Sequence, residues 1–498
     1  MNPLLLALHE RARQSPRDIV LSDGVADTTA AELVDEVEAL ARQLGALGIE
    51  RLALLADNSP DWVRLDLAAQ SCGICLVPVP TFFSPAQRDH VLQAAGVDAI
   101  ASDSSLRPSL ELPSASGEPL VLRQGLLLDR LPVTGRGQVP AETAKITFTS
   151  GSTGTPKGVC LSTGQCLRVA ASLVTAVGVR TPRHLSLLPL STLLENIAGV
   201  YMPLLANGTV VLPPPAETGL AGSSGVDPQQ LLRALGKWQP QTLILTPQFL
   251  ALFDQAQRAG WQPPASLRFV AVGGARVAPA LLQRVRAAGL PVFEGYGLSE
   301  CASVVSLNTP GQDRPGSSGQ VLPHVQVTER DGELWVEGNR FLGYLDEPAS
   351  WMSGPVATGD LGSIDSDGYL SISGRRKHLL ISSYGRNIAP EWVESELLAD
   401  GVLRQVVVLG DDRPWCVALV YPTDSSCGDS AIAASIAAAN ERLPDYARAR
   451  DWIRLQQPLS AATDLLTANG RPRRERIAAH FAAAIEHCYS PLAELRAP

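Results

Sequence analysis

Apolar side chains recur at helical spacing near the start of the chain. One stripe runs through residues 30–47 and predicts an amphipathic helix, and a second helical pattern covers residues 62–72. Short, continuous apolar runs at residues 51–55 and 74–79 predict buried strands beside these helices. Short buried strands that alternate with helices are typical of parallel βαβ units, so the pattern predicts a doubly wound sheet.

The alternation of strands and helices returns after residue 180. Apolar runs at residues 185–188, 210–212, 242–245 and 269–272 predict further buried strands. The predicted fold class is therefore α/β, with a large N-terminal domain of doubly wound sheets.

The pattern of apolar and polar residues changes after residue 332. Residues 333–336 predict a strand, residues 368–373 alternate in polarity as a half-buried strand does, and a basic stretch follows at residues 374–377. Beyond it the pattern predicts a small α+β segment. We place the domain boundary there, which gives an N-terminal domain of residues 1–376 and a C-terminal domain of residues 377–498.

The length and net charge of the chain limit the number of domains and the kinds of partner that we expect. A chain of 498 residues exceeds the size at which a single core keeps growing, so at least two domains are expected. The net charge is −9, and the sequence has no basic run interleaved with aromatic residues, which argues against a nucleic-acid partner. No apolar run is long enough to span a bilayer, so no transmembrane segment is expected.

The N-terminal residues and the cysteines indicate which cellular compartment to expect for the protein. Residues 1–8 are largely apolar but lack a basic flank and a cleavage site, so no signal peptide is expected. Eight cysteines in so long a chain do not make a disulfide framework, and we expect free thiols in a cytoplasmic protein. Cys72 and Cys75 have the spacing of a redox motif, but the apolar run around them favours packing.

Residues 147–158 carry the strongest chemical signal, the sequence TFTSGSTGTPKG. Its glycines allow the backbone to approach a ligand closely, and its hydroxyl and N–H groups can donate to phosphate oxygens. Lys157 adds a positive charge. The spacing differs from that of a Walker A loop, and no Ser or Thr follows the lysine. An ordinary Ser/Gly-rich hairpin is the alternative that composition alone allows.

Further motifs follow this loop in order, and together they resemble the adenylate-forming superfamily of acyl-CoA synthetases, adenylation domains and luciferases. VGGA at residues 272–275 resembles the strand end that binds adenine, and GYGLSE at residues 295–300 resembles the family's aromatic-Gly-x-Thr-Glu motif. TGD at residues 358–360 matches the motif of a ribose-binding aspartate. GR at residues 374–375 resembles the family's hinge, and YGRNI at residues 384–388 resembles the segment beyond it. The resemblance implies a distorted barrel within the N-terminal domain and a mobile C-terminal domain.

The resemblance implies ATP and Mg²⁺ as cofactors, a small-molecule carboxylate as substrate, and coenzyme A or carrier-protein phosphopantetheine as the thiol. It assigns Glu300 to Mg²⁺ and Lys157 to catalysis, and it makes Lys377 the hinge and Gly385 the lining of the thiol passage. Activation of a carboxylate at the α-phosphate needs positioned cations and donors rather than an enzyme nucleophile. The implied nucleotide-binding residues are Thr149, Ser150, Gly151, Ser152, Thr153, Gly154, Gly274, Ala275, Tyr296, Gly297, Ser299, Asp360 and Arg375.

Residues 188–196, LPLSTLLEN, resemble the acid-binding segment of long-chain acyl-CoA synthetases. Amino-acid-activating relatives carry an aspartate there for the substrate ammonium, and its place falls near Leu194 in this chain. We therefore predict a pocket for a fatty or other apolar acid, lined by Thr192, Leu193, Leu194 and Ile197. Aryl acids are the second candidate class. Core packing of an amphipathic helix is the alternative explanation of these apolar residues.

The C-terminal motif departs from the family at one position. Residues 466–474, LTANGRPRR, place Arg471 where the family has its adenylation lysine, and no lysine follows Lys377. Arginine keeps the charge but spreads it over a planar fork, and we predict that Arg471 is the catalytic cation. The predicted function is ATP-dependent formation of an acyl-AMP and transfer of the acyl group to coenzyme A. Two alternatives stay open: an acyl- or aryl-AMP ligase that loads an acyl carrier protein, and a non-catalytic adenylate-binding protein.

Overall fold

The computed structural model describes residues 2–110, 118–123, 125–133, 135–149, 156–221, 225–351, 354–467 and 469–489. Up to residue 375 the strands are β1 (Ile19–Ser22), β2 (Asp27–Thr29), β3 (Arg51–Leu55), β4 (Cys75–Pro78), β5 (Ala99–Asp103), β6 (Leu120–Arg123), β7 (Leu126–Arg130), β8 (Lys145–Thr149), β9 (Lys157–Leu161), β10 (Arg183–Leu185), β11 (Thr209–Val211), β12 (Leu220–Ala221), β13 (Gly225–Val226), β14 (Thr242–Leu245), β15 (Phe269–Val272), β16 (Val292–Leu298), β17 (Ser303–Leu307), β18 (Gln320–Val321), β19 (Val325–Arg330), β20 (Glu333–Gly338), β21 (Gly343–Tyr344), β22 (Val356–Ile364) and β23 (Leu370–Arg375).

The α-helices of the same region cover the faces of its sheets. They are α1 (Pro3–Gln14), α2 (Ala30–Ala46), α3 (Pro60–Cys72), α4 (Pro85–Ala95), α5 (Thr163–Val177), α6 (Met202–Leu205), α7 (Pro215–Thr218), α8 (Pro228–Trp238), α9 (Pro247–Arg258) and α10 (Pro279–Ala287). After residue 375 come β24 (Leu380–Ile381), β25 (Asn387–Ile388), α11 (Pro390–Leu398), β26 (Leu403–Leu409), β27 (Cys416–Pro422), α12 (Asp429–Asn440), β28 (Ala449–Arg454), α13 (Arg474–His480) and α14 (Ala482–Cys488).

Most elements predicted from the pattern of apolar residues are confirmed. The stripe at residues 30–47 forms α2, and the run at residues 51–55 forms β3 with the same bounds. The strand predicted at residues 185–188 is wrong in its position, because β10 ends at Leu185 and only the N–H of Ser186 still bonds to the neighbouring strand. The predicted packing role of Cys75 agrees with its burial, which raises the pKa of its thiol to about 12.

Two large sheets with parallel centres dominate the N-terminal region. Within the described residues, one holds nine strands in the order β18-β17-β16-β15-β14-β10-β11-β1-β2, and the other holds eight in the order β21-β9-β8-β4-β3-β5-β7-β6. Strands β11, β10, β14, β15 and β16 pair in parallel, as do β8, β4, β3 and β5, whereas the outer strands pair antiparallel. The prediction of parallel βαβ units is confirmed.

A third, antiparallel sheet of four strands lies in the N-terminal region. Its strands run in the order β19-β20-β22-β23, and a bridge between Gln320 and Tyr369 links it to the edge of the nine-stranded sheet. The register of β22 against β23 sets Asp360 opposite Arg375. This pairing places two sequence-predicted site residues side by side.

A π-helix, Glu195–Tyr201, lies between the two large sheets and is tied to both of them. The carboxylate of Glu195 is 3.0 Å from Nε2 of His184 on β10. The next residue, Asn196, accepts a hydrogen bond from the buried ammonium of Lys145 on β8. The π-helix is therefore bound to β10 and to the start of β8, the strand that precedes residues 150–155 in the chain.

The C-terminal region docks on helices α9 and α10. Arg284 of α10 donates to the carbonyl of Ala399, and Gln255 of α9 donates to the carbonyl of Gly401 at 3.2 Å. Ala399 is buried in the apolar cluster of the N-terminal region. These contacts hold the C-terminal region, which contains residues 466–474, against the N-terminal region. In the part of the chain that the structure describes, no helix combines the length and apolarity needed to cross a membrane.

Candidate active site

Asp360 is the centre of a buried hydrogen-bonded group. Its Oδ1 accepts from Nε of Arg375 at 2.7 Å, and its Oδ2 accepts from the hydroxyl of Tyr296 at 2.7 Å. The Asp360 side chain is only 6% exposed, whereas 45% of the Arg375 side chain is exposed, so the carboxylate is buried and its arginine partner reaches the surface. Burial and the Asp360 charge raise the pKa of Tyr296 well above its usual value, so its hydroxyl stays a donor at neutral pH.

The chain makes an unusually tight approach next to Tyr296. A Cβ atom at Gly297 would overlap the carbonyl oxygen of Ser303 on β17, so only glycine fits at this position. Ala302 and Ser303 have φ angles of +55° and +98°, a region that side chains rarely adopt. Strained backbone of this kind clusters at ligand-binding sites, where the surrounding structure maintains it. The strain begins two residues after Glu300.

Glu300 is held through both its backbone and its side chain. Its carbonyl accepts from the N–H of Phe341 at 2.6 Å, and its Oε1 accepts from the hydroxyl of Tyr344 at 2.7 Å. Within the described ranges, no group of three or more His, Cys, Asp or Glu side chains is arranged to hold a metal ion. A lone carboxylate fits a magnesium ion that arrives with a nucleotide, since Mg²⁺ is usually bound by one or two carboxylates together with substrate phosphates.

Lys157 is engaged by Glu347 and lies over the ring of Tyr344. Its Nζ is 2.8 Å from Oε1 of Glu347 and 5.1 Å from the ring centroid of Tyr344. About half of the side chain is exposed. Lys157 pairs with Thr149 across β8 and β9, so the ends of the intervening loop are fixed to each other. Five predicted loop residues lie outside the described residues: Ser150, Gly151, Ser152, Thr153 and Gly154.

Arg471 of the C-terminal motif lies within electrostatic range of Asp360, Arg375 and Glu300. It lies in a tight turn in which Gly470 has a φ angle of +75° and the N–H of Arg471 donates to Oγ1 of Thr467 at 3.1 Å. The residue is exposed, and partial desolvation by the surrounding protein, followed by the charge of Arg375, lowers the pKa of its guanidinium. The negative charges of Asp360 and Glu300 act to raise this pKa and so oppose the decrease. An arginine remains charged at neutral pH under these conditions.

The remaining nucleotide-binding candidates lie at the ends of two neighbouring strands. Gly274 and Ala275 follow β15 and are exposed, and Gly274 has a φ angle of +83°. A Cβ atom at Gly273 would be 3.0 Å from the carbonyl oxygen of Gly295, so the two strand ends lie close together. Ser299 opens the short helical turn that contains Glu300. The carboxyl ends of parallel strands are where ligands bind in open α/β sheets.

The predicted acid-pocket residues divide into two groups. Ile197 is fully buried and Leu193 is 5% exposed, and both belong to the main apolar core. Thr192 and Leu194 are half-buried, so only these two of the four present open surface. For Ile197 the core-packing explanation of the sequence pattern agrees better with its burial than a place on the pocket wall. Helical spacing identifies the apolar side of a helix but not which of its residues meet a cavity.

The predicted hinge and thiol residues lie at the surface. Lys377 is exposed within the short helical turn Arg376–His378 that follows β23. Gly385 is exposed in the turn between β24 and β25, with a φ angle of +72° and no atom within 4 Å of the position that a Cβ atom would take. The structure therefore does not bring Gly385 into contact with the group around Asp360.

Sequence reasoning missed Tyr344 and Glu347, which contact Glu300 and Lys157. The segment has one local signal, a glycine and two aromatic residues at positions 341–344. Nothing in the local sequence indicates that Tyr344 reaches a carboxylate 44 residues earlier in the chain.

The fold is α/β, and the candidate residues gather near the carboxyl ends of parallel strands. Residues 8–345 match the family model described as AMP-binding enzyme, and residues 377–493 match the model of the AMP-binding enzyme C-terminal domain. The chain therefore belongs to the AMP-binding enzyme family, the adenylate-forming superfamily.

Individual relatives are similar over nearly their whole length. The chain is 27% identical to the long-chain-fatty-acid–CoA ligase FadD15 of Mycobacterium bovis, over 97% of this chain and 96% of the relative. It is 28% identical to 2-succinylbenzoate–CoA ligase of Bacillus subtilis, over 82% and 85% of the two chains. The solved structure of o-succinylbenzoate coenzyme A synthetase from Bacillus subtilis in complex with ATP and magnesium ion superimposes with a TM-score of 0.74. That match has 25% identity and covers 94% of this chain and 98% of the other.

Proposed function

We propose that this enzyme uses ATP to activate a carboxylic acid as an acyl-AMP and then transfers the acyl group to the thiol of coenzyme A. In the first step a carboxylate oxygen of the acid attacks the α-phosphorus of ATP, and the bond to pyrophosphate breaks. In the second step the thiol attacks the acyl carbon, loses its proton, and AMP leaves. The relatives named as CoA ligases support this reaction class.

The observation that carries the proposal is the hydrogen-bonded group of Asp360, Tyr296 and Arg375, in which Asp360 accepts from each partner at 2.7 Å. Arg471 of the C-terminal region lies within electrostatic range of Asp360, Arg375 and Glu300. Negative charge builds on the α-phosphate and on the attacking carboxylate, and preorganised donors aimed at such charge lower the barrier most. Arg471 and Arg375 are cations, and each can stabilise this negative charge.

The roles of the other residues follow from their chemistry. Asp360 has lone pairs left after its two hydrogen bonds and can accept from the ribose hydroxyls. Tyr296 offers a ring for the adenine, and Lys157 offers a charge to the phosphates. Glu300 would hold Mg²⁺, which neutralises phosphate charge when it is bound with ATP. The loop from Thr149 to Gly154 would supply N–H and hydroxyl donors, and Gly274, Ala275, Gly297 and Ser299 would line the nucleotide. We further propose that the chain divides into its two domains between residues 376 and 377.

An apolar acid suits the apolar side chains of the predicted acid-binding segment and of the Glu300 motif. The half-buried apolar side chains that pack on the main core include Leu194 and Leu298. Leu298 lies two residues before Glu300 in the chain. Glu195 is completely buried and bound to His184, so its carboxylate is not available to a substrate ammonium. We propose a fatty acid or another apolar acid, with aryl acids as the second class.

The test is acid-dependent exchange of pyrophosphate into ATP with a panel of fatty, aryl and amino acids. We expect exchange with medium to long acyl chains and none with amino acids. Glu300→Gln should raise the Mg²⁺ requirement, and Asp360→Ala should weaken ATP binding, because each removes a proposed ligand. Exchange led by amino acids would contradict the apolar pocket. Exchange absent with every acid, together with tight ATP binding, would favour the non-catalytic alternative.

The acceptor needs a separate measurement. Thioester formation from supplied acyl-AMP should be compared with coenzyme A and with a phosphopantetheinylated acyl carrier protein. We expect coenzyme A to be the better acceptor. A preference for the carrier protein would replace coenzyme A in the proposal but leave the first step unchanged.

A further inference from the structure

We infer that Tyr344 is a positioning residue that holds the Glu300 carboxylate in the orientation that a magnesium-bound nucleotide requires. The inference rests on the proposed function, because it takes Glu300 as the magnesium ligand. It concerns a residue 44 positions away from Glu300 in the sequence, on a strand of the other large sheet.

Two bonds from one short segment fix Glu300. The Phe341 N–H donates to the Glu300 carbonyl at 2.6 Å, and the Tyr344 hydroxyl donates to Oε1 of Glu300 at 2.7 Å. The first bond fixes the backbone and the second fixes the side chain. A carboxylate with one oxygen held by a donor presents its other oxygen in a defined direction.

Tyr344 itself is held from several sides. It lies on β21 and pairs with Val159 of β9, so its position is set by the sheet. Its N–H donates to Oγ of Ser350 at 2.8 Å, and its carbonyl accepts from Nε1 of Trp351 at 2.8 Å. The ring of Phe341 packs edge-on against the Tyr344 ring, with centroids 4.8 Å apart. The hydroxyl therefore has little freedom to leave Glu300.

The Tyr344 ring also connects Glu300 with the strand that leaves the phosphate loop. Lys157, the first residue of β9, has its ammonium 5.1 Å from the ring centroid. Glu347 binds the same ammonium at 2.8 Å. A cation over an aromatic face is attracted to it, and the pairing with Glu347 keeps the cation there. One side chain thus contacts both the proposed magnesium ligand and the loop lysine.

The chemistry of the contact suits a positioning role. A tyrosine hydroxyl carries a proton at neutral pH, and this one donates it to Oε1 of Glu300 at 2.7 Å. Groups that orient a metal-binding carboxylate by a hydrogen bond typically contribute about 10–100-fold to metal affinity or activity. Removal of this hydroxyl should therefore act on magnesium affinity and not on nucleotide contacts made elsewhere.

The test is a magnesium titration of ATP binding, followed by intrinsic tryptophan fluorescence and by calorimetry, in the full-length protein. Tyr344→Phe removes one oxygen and keeps the ring. We expect about 10-fold or more weaker apparent Mg²⁺ affinity, with ATP affinity in the absence of Mg²⁺ unchanged. The matched control is Tyr489→Phe, which removes a hydroxyl that donates to the Trp415 carbonyl at 3.0 Å in the C-terminal region. The control should titrate like the unmodified protein.

The outcomes separate this inference from the proposed function. Unchanged Mg²⁺ affinity in Tyr344→Phe, alongside a strong loss in Glu300→Gln, would overturn the positioning role alone. No effect of Mg²⁺ on ATP binding in the unmodified protein would overturn the proposed function. A loss of ATP affinity without Mg²⁺ in Tyr344→Phe would also count against the inference, because it indicates a general disturbance. Should that variant fail to fold, Ser350→Ala loosens the Tyr344 backbone and should weaken Mg²⁺ affinity by a smaller factor.

Discussion

Arg474 and Glu394 form a paired, two-bond contact that anchors the C-terminal motif. Nη1 of Arg474 is 2.6 Å from Oε1 of Glu394, and Nη2 is 2.8 Å from Oε2. Arg474 also donates to the carbonyl of Val408 on β26 at 3.0 Å. Removal of one partner from a largely buried pair typically costs about 3–5 kcal/mol. Because Arg471 lies three residues earlier, this contact limits how far its turn can move relative to α11.

Arg471→Ala should reduce acyl-AMP formation by about 10²–10³-fold, because one preorganised donor to the developing negative charge is lost. Thiolysis of supplied acyl-AMP should be largely unaffected, since we expect the C-terminal domain to present a different face in that step. Arg471→Lys should retain substantial activity because the charge is kept. Single-turnover measurements of the two half-reactions check this.

Arg476→Ala is the control for Arg471. Arg476 belongs to the same basic segment, is 56% exposed and pairs only with Asp464 among the contacts of the described residues. It should adenylate like the unmodified protein. Equal adenylation by Arg471→Ala and Arg476→Ala would mean that Arg471 is a solvated residue of a basic surface and that another cation acts on the α-phosphate.

Gly385→Leu should spare acyl-AMP formation and block thioester formation. The residue is exposed in a turn here, and we propose that it lines the thiol passage after the C-terminal domain rotates. Gly260→Leu is the matched control, because Gly260 also has a positive φ angle, +95°, and open space around it. Both variants bear the same backbone strain, and only Gly385→Leu should lose the second half-reaction.

Lys377→Pro tests the hinge in the same pair of assays. Proline fixes φ at the proposed pivot, so the second half-reaction should suffer more than the first. An equal loss of both half-reactions would indicate a folding defect and would remove the support for a hinge at this position.

Gly199→Ala should destabilise the protein by about 1–3 kcal/mol, the usual cost of overpacking a filled interior. An added Cβ would lie 2.6 Å from Oε1 of Glu195 and 2.8 Å from Nε2 of His184, and both side chains are fully buried. Thermal unfolding followed by circular dichroism measures the change. Gly236→Ala is the control, since Gly236 lies in α8 with no atom near its Cβ position, and it should be neutral or stabilising. An unchanged melting temperature in Gly199→Ala would show that the Glu195–His184 contact is not tightly packed.

Glu294→Gln should change how stability depends on pH. Burial raises the pKa of Glu294 from 4.5 to about 7, against the opposing charges of Arg286 and Arg276. The folded protein binds this proton more tightly than the unfolded chain, so the stabilisation is complete below pH 4.5 and is lost as the pH rises through about 7. The melting temperature of Glu294→Gln relative to the unmodified protein should therefore rise across this window.

Asp424→Asn is the control for the pH series. Asp424 is exposed, and hydrogen bonds from Ser426 lower its pKa, so it does not titrate in this window. Its melting temperature should follow that of the unmodified protein between about pH 5 and pH 7. Parallel curves for Glu294→Gln and the unmodified protein would show that Glu294 is charged throughout.

The amino-acid sequence by itself determined the local elements and the identity of most candidate residues. The apolar runs that became β3, β14 and β15 are short and continuous, and a run of that kind has few alternatives in an α/β chain. Asp360 and Arg375 could be chosen because the motifs that contain them are short and depend on neighbouring residues. The arginine at position 471, where the family has a lysine, could also be recognised from the sequence, because a comparison of motifs requires no knowledge of the fold.

Only the tertiary structure decided which residues meet. Tyr344 and Glu300 are 44 residues apart, and the contact depends on how the edge strand of one sheet lies against the end of another. Ile197 and Leu194 share one apolar pattern, yet the first lies in the core and the second keeps open surface. Periodicity indicates which side of a helix is buried but not what it is buried against. The contacts of Ala399 and Gly401 with α9 and α10 are likewise long-range and have no local signal in the sequence.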